Sequence, residues 1–212
     1  MAVRLTDYRT PIGRTLRQPR VWLSVALFFL YVGAEASLGI WAYALLAESR
    51  GMPTAQAGFL TGSYWFSFTI GRISAGMFAG RLGSVRLVLG GLAGAILAAG
   101  LLVWHPTETA DACAVAAIGL CIAPVFPAMM SGTRARVGDP HAANTIGMQM
   151  AATGLGTAVL PGLMGVLARR MSLEVIPVCL LAVYAGLFGL FLLAAGSRET
   201  RTAADSGDGI VF

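Results

Sequence analysis

Six apolar runs, residues 21–47, 57–80, 87–104, 112–132, 142–168 and 173–195, take up most of this 212-residue chain. A helix rising 1.5 Å per residue needs about 20 apolar residues to cross a hydrocarbon core of ~30 Å, and only helices and closed barrels satisfy their backbone polar groups in lipid. The expected fold is therefore an all-α membrane protein of six transmembrane helices. Composition agrees: 57% of residues are hydrophobic and 12% charged, where soluble domains run nearer ~45–50% apolar. The first run is longer than the bilayer requires, so its helix tilts or protrudes.

Charge sets the orientation. All fifteen basic residues are arginines, which marks coding bias rather than mechanism, and they sit at the ends of apolar runs instead of on a soluble face. Nucleic acid is thereby excluded as a partner, and the lipid bilayer is the expected one. Cytoplasmic loops collect Arg and Lys, so the turn carrying Arg81 and Arg86 is placed inside. Alternating the loops from there puts twelve arginines inside and three (Arg50, Arg169, Arg170) outside. The resulting organisation is a cytoplasmic lead-in at 1–20, a membrane domain at 21–195 and a polar cytoplasmic tail at 196–212, expected to be disordered. Residues 1–20 lack the apolar core and cleavage site of a signal peptide. The expected setting is a bacterial inner (plasma) membrane, multi-pass, with both termini cytoplasmic.

Function should show inside the spans. Glu35 lies near mid-membrane, where an ionisable side chain costs ~2.5 kcal/mol or more unless it faces a wet cavity or a partner. Tyr31, Glu35, Gly39 and Tyr43 recur every four residues and make one helical stripe with an acid at its centre. Such a stripe suits a polar solute; the plainer alternative is a protonated Glu bonded to a neighbouring helix. The second run carries Thr61, Ser63, Tyr64, Trp65, Ser67 and Thr69, whose rings and hydroxyls fit a sugar, although small polar residues also join helices. A second stripe, Thr145, Gln149, Thr153 and Thr157, offers Gln149 as both donor and acceptor. Asn144 and His141 stand at its cytoplasmic end. Candidate substrate-binding residues are thus Glu35, Tyr31, Tyr64, Trp65, Gln149 and Asn144.

Pro124 and Pro127 interrupt the fourth run and Pro161 the fifth, freeing backbone groups and weakening the helix locally. They are the candidate gating positions, with packing accommodation as the alternative. Cys113, Cys121 and Cys179 lie in apolar runs without metal spacing and are expected to be packing residues. No catalytic residue, metal site or cofactor is expected. His105 and His141 sit at span ends and no Gly-x-Ser-x-Gly is present, which argues against an intramembrane hydrolase.

The stretch Gly76-x-x-x-Gly80-Arg81-x-Gly83-x-x-Arg86 resembles the loop signature of the major facilitator superfamily. Gly80 stands where that signature has an acid, and Ser84 where it has a basic residue. The segments 28–35, Tyr64-Trp65-x-Ser67-x-Thr69-x-Gly71-Arg72 and Ala123-Pro124-Val125-Phe126-Pro127 resemble the C-terminal half of sugar transporters in the fucose-permease branch. The resemblance covers residues 18–193 and implies two inverted three-helix repeats, half of a twelve-span bundle. It also implies secondary active transport of a sugar or related metabolite, with a proton as candidate co-substrate and Glu35 a substrate contact. A lone half offers one cavity wall, so a homodimer or a second six-helix half is the expected partner. The lead-in reads like the end of a central loop, which keeps a truncated twelve-span transporter open beside a non-transporting scaffold or assembly subunit.

Overall fold

The computed structural model describes residues 10–207, with side chains for 10–77 and 80–195. Nine α-helices are formed among them: α1 (Ile12–Leu16), α2 (Pro19–Ala44), α3 (Thr54–Leu82), α4 (Ser84–Trp104), α5 (Glu108–Ile122), α6 (Val125–Ser131), α7 (Thr133–Val137), α8 (Asp139–Arg170) and α9 (Val175–Gly207), with a π-helical turn Leu45–Ser49 extending α2. Five are long and apolar enough to cross a membrane: Pro19–Ser49, Ser84–Trp104, Glu108–Ser131, Asp139–Arg170 and Val175–Ala195. The second expected span, α3, is 29 residues long but does not join them, because six Ser and Thr, a Gln and two Arg dilute its apolar run.

Two boundaries differ from expectation. Helix α9 continues to Gly207 instead of giving way to a disordered tail at 196. Its extension, residues 196–207, contains no Pro, and between Gly196 and Gly207 it includes the good helix formers Arg, Glu and Ala. Residues 208–212 and 1–9 lie outside the described residues. The lead-in is partly helical, and α2 starts with Pro19 in its first turn, where the missing N–H costs nothing.

The helices pair in a regular way: α2 lies along α8, α3 along α5, and α4 against both α5 and α9, with α9 also touching α2. One core runs through them, with Leu27, Phe28 and Leu38 of α2, Leu92 and Leu102 of α4, Ile118 of α5 and Leu187 of α9 all fully buried. Apolar burial does little to hold helices together in lipid, so close backbone approach matters more. Glycines provide it at both principal pairs. A Cβ on Gly33 would stand 2.7 Å from Leu160 Cδ2 and 2.9 Å from the Gly156 oxygen, and one on Gly156 would collide with the Phe29 carbonyl. In the α3–α5 pair a Cβ on Gly71 would lie 2.6 Å from the Leu120 oxygen, and one on Gly119 would lie 2.5 Å from the Tyr64 oxygen. Gly156→Leu should therefore lower stability by about 1–3 kcal/mol through overpacking, read as a fall in melting temperature in detergent. Gly154→Ala, with nothing within 4 Å of the new Cβ, should leave it unchanged.

Each end of the bundle is tied by polar groups. At the end where α2 passes to α3, Arg50 Nη1 meets Asp111 Oδ1 at 2.6 Å and Nη2 meets Glu174 Oε2 at 2.7 Å, while His105 Nδ1 lies 2.6 Å from Asp111 Oδ2. Arg50 also donates to the Leu102 carbonyl at 2.8 Å. One guanidinium thus joins the ends of α2, α4, α5 and α9. At the other end, Gly83 takes φ 75° between α3 and α4, a conformation that favours glycine and gives the loop signature's last glycine its reason.

Candidate functional site

Mid-bundle, α2, α3 and α6 bring six aromatic residues around one carboxyl group. Tyr31 and Tyr64 are fully buried. Tyr31 donates its hydroxyl to the Ile122 carbonyl at 2.8 Å, at the break between α5 and α6. Tyr64 donates to the Glu35 backbone carbonyl at 3.0 Å. Glu35 sits one turn along α2 from Tyr31, and its Oε2 is buried with no hydrogen-bond partner among the described residues. Tyr184 of α9 is also fully buried, with its hydroxyl likewise unpartnered. Tyr31, Tyr64, Tyr184 and Arg72 lie within electrostatic reach of the Glu35 carboxyl.

The rings are interlocked. Trp65 meets Tyr64 edge-on at 4.9 Å between centroids and Phe68 at 5.9 Å, and Phe126 meets Phe28 edge-on at 5.2 Å. Gly39 of the stripe is where Trp65 docks: a Cβ there would stand 2.5 Å from the indole. Trp65 keeps 45% of its surface exposed, so one indole face is open while the other is fixed. A fixed, open aromatic face beside hydroxyls and a carboxyl is suited to holding a polar solute by stacking and hydrogen bonds.

Arg72 completes the cluster. Its guanidinium lies 4.6 Å from the Phe68 ring centroid and 6.0 Å from that of Phe126, distances suited to cation–π attraction. In the sequence, Arg72 reads as an inside arginine and as the end of the 64–72 segment that carries the family resemblance, not as a site residue. The signal was present, since an Arg four residues after Phe68 stacks on it from the next helical turn. A cleft of about 240 Å³ opens from Arg72 along Ala75 and Gly76 towards Ser84, walled by Pro124, Pro127 and Ser131.

Gln149 and Asn144 are not in this cluster. Gln149 is fully buried; its Nε2 donates to Ser24 Oγ at 2.7 Å and to Thr133 Oγ1 at 3.2 Å, and Arg136 donates to the same two hydroxyls. Asn144 donates to the Thr10 carbonyl and Thr15 Oγ1, beside His141, which bonds Thr15 at 3.1 Å. Helical spacing put Gln149 on a polar stripe of α8 with Asn144 at its cytoplasmic end, but α2 and α7 cover Gln149 and α1 covers Asn144. In the same stripe Thr153 and Thr157 donate to carbonyls of their own helix. Gln149→Leu should accordingly lower the melting temperature, by about 1–2 kcal/mol for lost hydrogen bonds and stranded partners, in the absence of any solute.

The prolines divide. At Pro124 the fourth span breaks into α5 and α6, and Pro127 lies in the first turn of α6. Helix α8 runs unbroken through Pro161, whose carbonyl accepts from Trp41 Nε1 at 3.0 Å. Of the loop residues, Gly76 lines the cleft, while Arg81 and Arg86 are exposed. Among the described residues no group of three or more His, Cys, Asp and Glu is arranged to hold a metal.

The profile of the Major Facilitator Superfamily matches residues 9–209. Among curated proteins, the chain is 27% identical over 179 residues to Bypass of stop codon protein 6 of Saccharomyces cerevisiae, covering 76% of this chain and 35% of the yeast protein. The chain thus spans about a third of that relative's length. A profile match over nearly the whole sequence, on a bundle of long apolar helices with an acid at its centre, is decisive: this chain belongs to the Major Facilitator Superfamily, a family of membrane transporters.

Proposed function

We propose that this chain is one six-helix half of a secondary active transporter that moves a small polar solute, a sugar or related metabolite, by alternating access. The observation that carries the reading is the Glu35 carboxyl, partly buried mid-span with its Oε2 enclosed and unpartnered among the described residues. An acid in that position is costly in a bilayer unless it serves a wet path or a partner. Trp65 and Arg72 are the exposed solute contacts beside it, and the fully buried Tyr31 and Tyr64 back them. Gln149 and Asn144 belong to the scaffold in this reading.

Helix pairing supports two inverted repeats. Exchanging α2, α3 and α4 for α5/α6, α8 and α9 turns the α2–α8 pair into α5–α3 and the α4–α5 pair into α9–α2, and leaves α4–α9 unchanged. Because each repeat has three helices, the second enters from the opposite face. A second copy or a second six-helix half supplies the other wall, an arrangement the greater length of the yeast relative accommodates. The break at Pro124 provides the bending point beside the cleft. Arginine distribution supports cytoplasmic termini.

The test is uptake by the purified chain in liposomes, alone and beside a second six-helix half, across a panel of neutral and acidic sugars with and without an imposed proton gradient. Saturable uptake in either arrangement supports the reading. No uptake of any panel member, from protein that melts cooperatively, contradicts it and favours a non-transporting scaffold or assembly subunit.

A further inference from the structure

The arginines of the described structure do not share one role. Arg50 is matched by Asp111 and Glu174, and Arg134 by Asp139 at 2.9 Å. Arg72 has aromatic faces at 4.6 and 6.0 Å but no carboxylate within ion-pair distance among the described residues. It also lies deep. Ten residues separate it from the end of α3 at Leu82, about 15 Å at 1.5 Å per residue. Helical side chains lean towards the N-terminus, and stacking on Phe68, one turn earlier, takes the guanidinium further from that end.

A guanidinium at this depth costs several kcal/mol unless it faces a wet cavity and an anion. Cation–π attraction offsets ~0.5–2 kcal/mol of that. The five N–H donors need acceptors, and aromatic faces supply none. The cleft beside Arg72 adds the Ser84 and Ser131 side chains and room for about eight water volumes. Ser131 uses its proton on the Ala128 carbonyl, leaving its oxygen as an acceptor for a solute hydroxyl.

Resting on the solute-path reading above, we propose that the solute carries an anionic group, a carboxylate on a polyhydroxylated skeleton, and that Arg72 is the residue that selects it. The guanidinium takes the carboxylate with two parallel N–H···O bonds. Trp65, two turns before Arg72 on α3, takes the ring face with its exposed indole, and the Glu35 carboxyl takes hydroxyls. A neutral sugar offers the guanidinium only single, uncharged hydroxyl acceptors in place of a bidentate carboxylate, and that difference is the basis of discrimination.

D-glucuronate and D-glucose differ at one carbon and test this directly. Binding is followed by Trp65 fluorescence in phosphatidylcholine vesicles, with Trp22, Trp41 and Trp104 replaced by Phe. Glucuronate should bind at least about tenfold more tightly than glucose. Arg72→Gln should bring the ratio near one, and Arg72→Lys should keep part of it, with melting temperatures of both variants showing that they fold. Equal binding of the two sugars, or a ratio unchanged in Arg72→Gln, overturns the inference and leaves the solute path standing. Binding of neither overturns both. A response to Arg72→Gln that appears only when phosphatidylglycerol is added assigns the guanidinium to a lipid headgroup and also overturns it.

Discussion

Alanine at Asp111 should cost this protein about 3–5 kcal/mol, the usual loss when one member of a buried ion pair is removed and its partner stays. Asp111 is fully buried and the Arg50 side chain is 2% exposed, so Nη1 loses its acid with no water to replace it, while Glu174 still holds Nε and Nη2. The loss also frees His105, the one non-glycine residue with positive φ among the described residues (47°), from the contact that holds it at the end of α4. Thermal denaturation in detergent should show a melting temperature reduced by several degrees or more, or no folded protein at all. The second acid of the network behaves differently. Glu174 is held below the usual carboxylate range, first by the Arg50 hydrogen bonds and then by Ser49. A depressed carboxylate contributes stability that is complete above its unfolded value of ~4.3 and is lost as pH falls through the folded one. Burial pulls the Arg50 pKa down, but its two acids more than offset this and leave it raised, so the arginine does not titrate in that window. Glu174→Gln should lower the melting temperature at neutral pH and flatten its decline below about pH 4.5, an effect moderated by the 43% exposure of Glu174.

Glu35→Gln should have the opposite profile. Uptake of any solute carried by the wild type should fall about 10- to 100-fold, the range expected when hydrogen bonds to a charged group are lost. Stability should hold or rise. One carboxyl oxygen, Oε2, is buried without a partner among the described residues, and an amide costs less to keep there. A variant that folds as well as the parent and transports far less identifies a group retained for function. If uptake is unchanged, the acid is structural and the scaffold reading gains.

The fold was legible wherever hydropathy and helix coincide. Hydropathy marks the apolar stretch, while the helix also takes in its polar first turn, so α2, α4 and α8 begin at Pro19, Ser84 and Asp139 rather than at 21, 87 and 142. Helix α3 was found by the same signal but falls short of the apolar spans because hydroxyls and arginines dilute its apolar run; Thr61, Ser63, Ser67 and Thr69 donate to carbonyls of α3 itself. Half of the site was legible because a four-residue period puts Tyr31, Glu35 and Gly39 on one face. The same period put Gln149 and Thr145 on one face of α8 without saying what covers it. The covering elements, α1 and α7, are five-residue helices with no periodicity to read. Pro124 breaks its helix and Pro161 does not, a difference set by packing around α8 and invisible in composition. Arg72 was overlooked because an arginine near a loop reads as topology, whereas its stacking on Phe68 and Phe126 depends on α3 and α6 meeting in space.

Water access to residue 35 tests the central claim most directly. In a chain whose Cys113, Cys121 and Cys179 are replaced by alanine, Glu35→Cys should react with a charged, water-soluble maleimide in sealed vesicles, and a transported solute should slow that reaction. Reaction only with a lipid-soluble reagent would put this side chain against the bilayer and contradict the account of a solute path through the bundle.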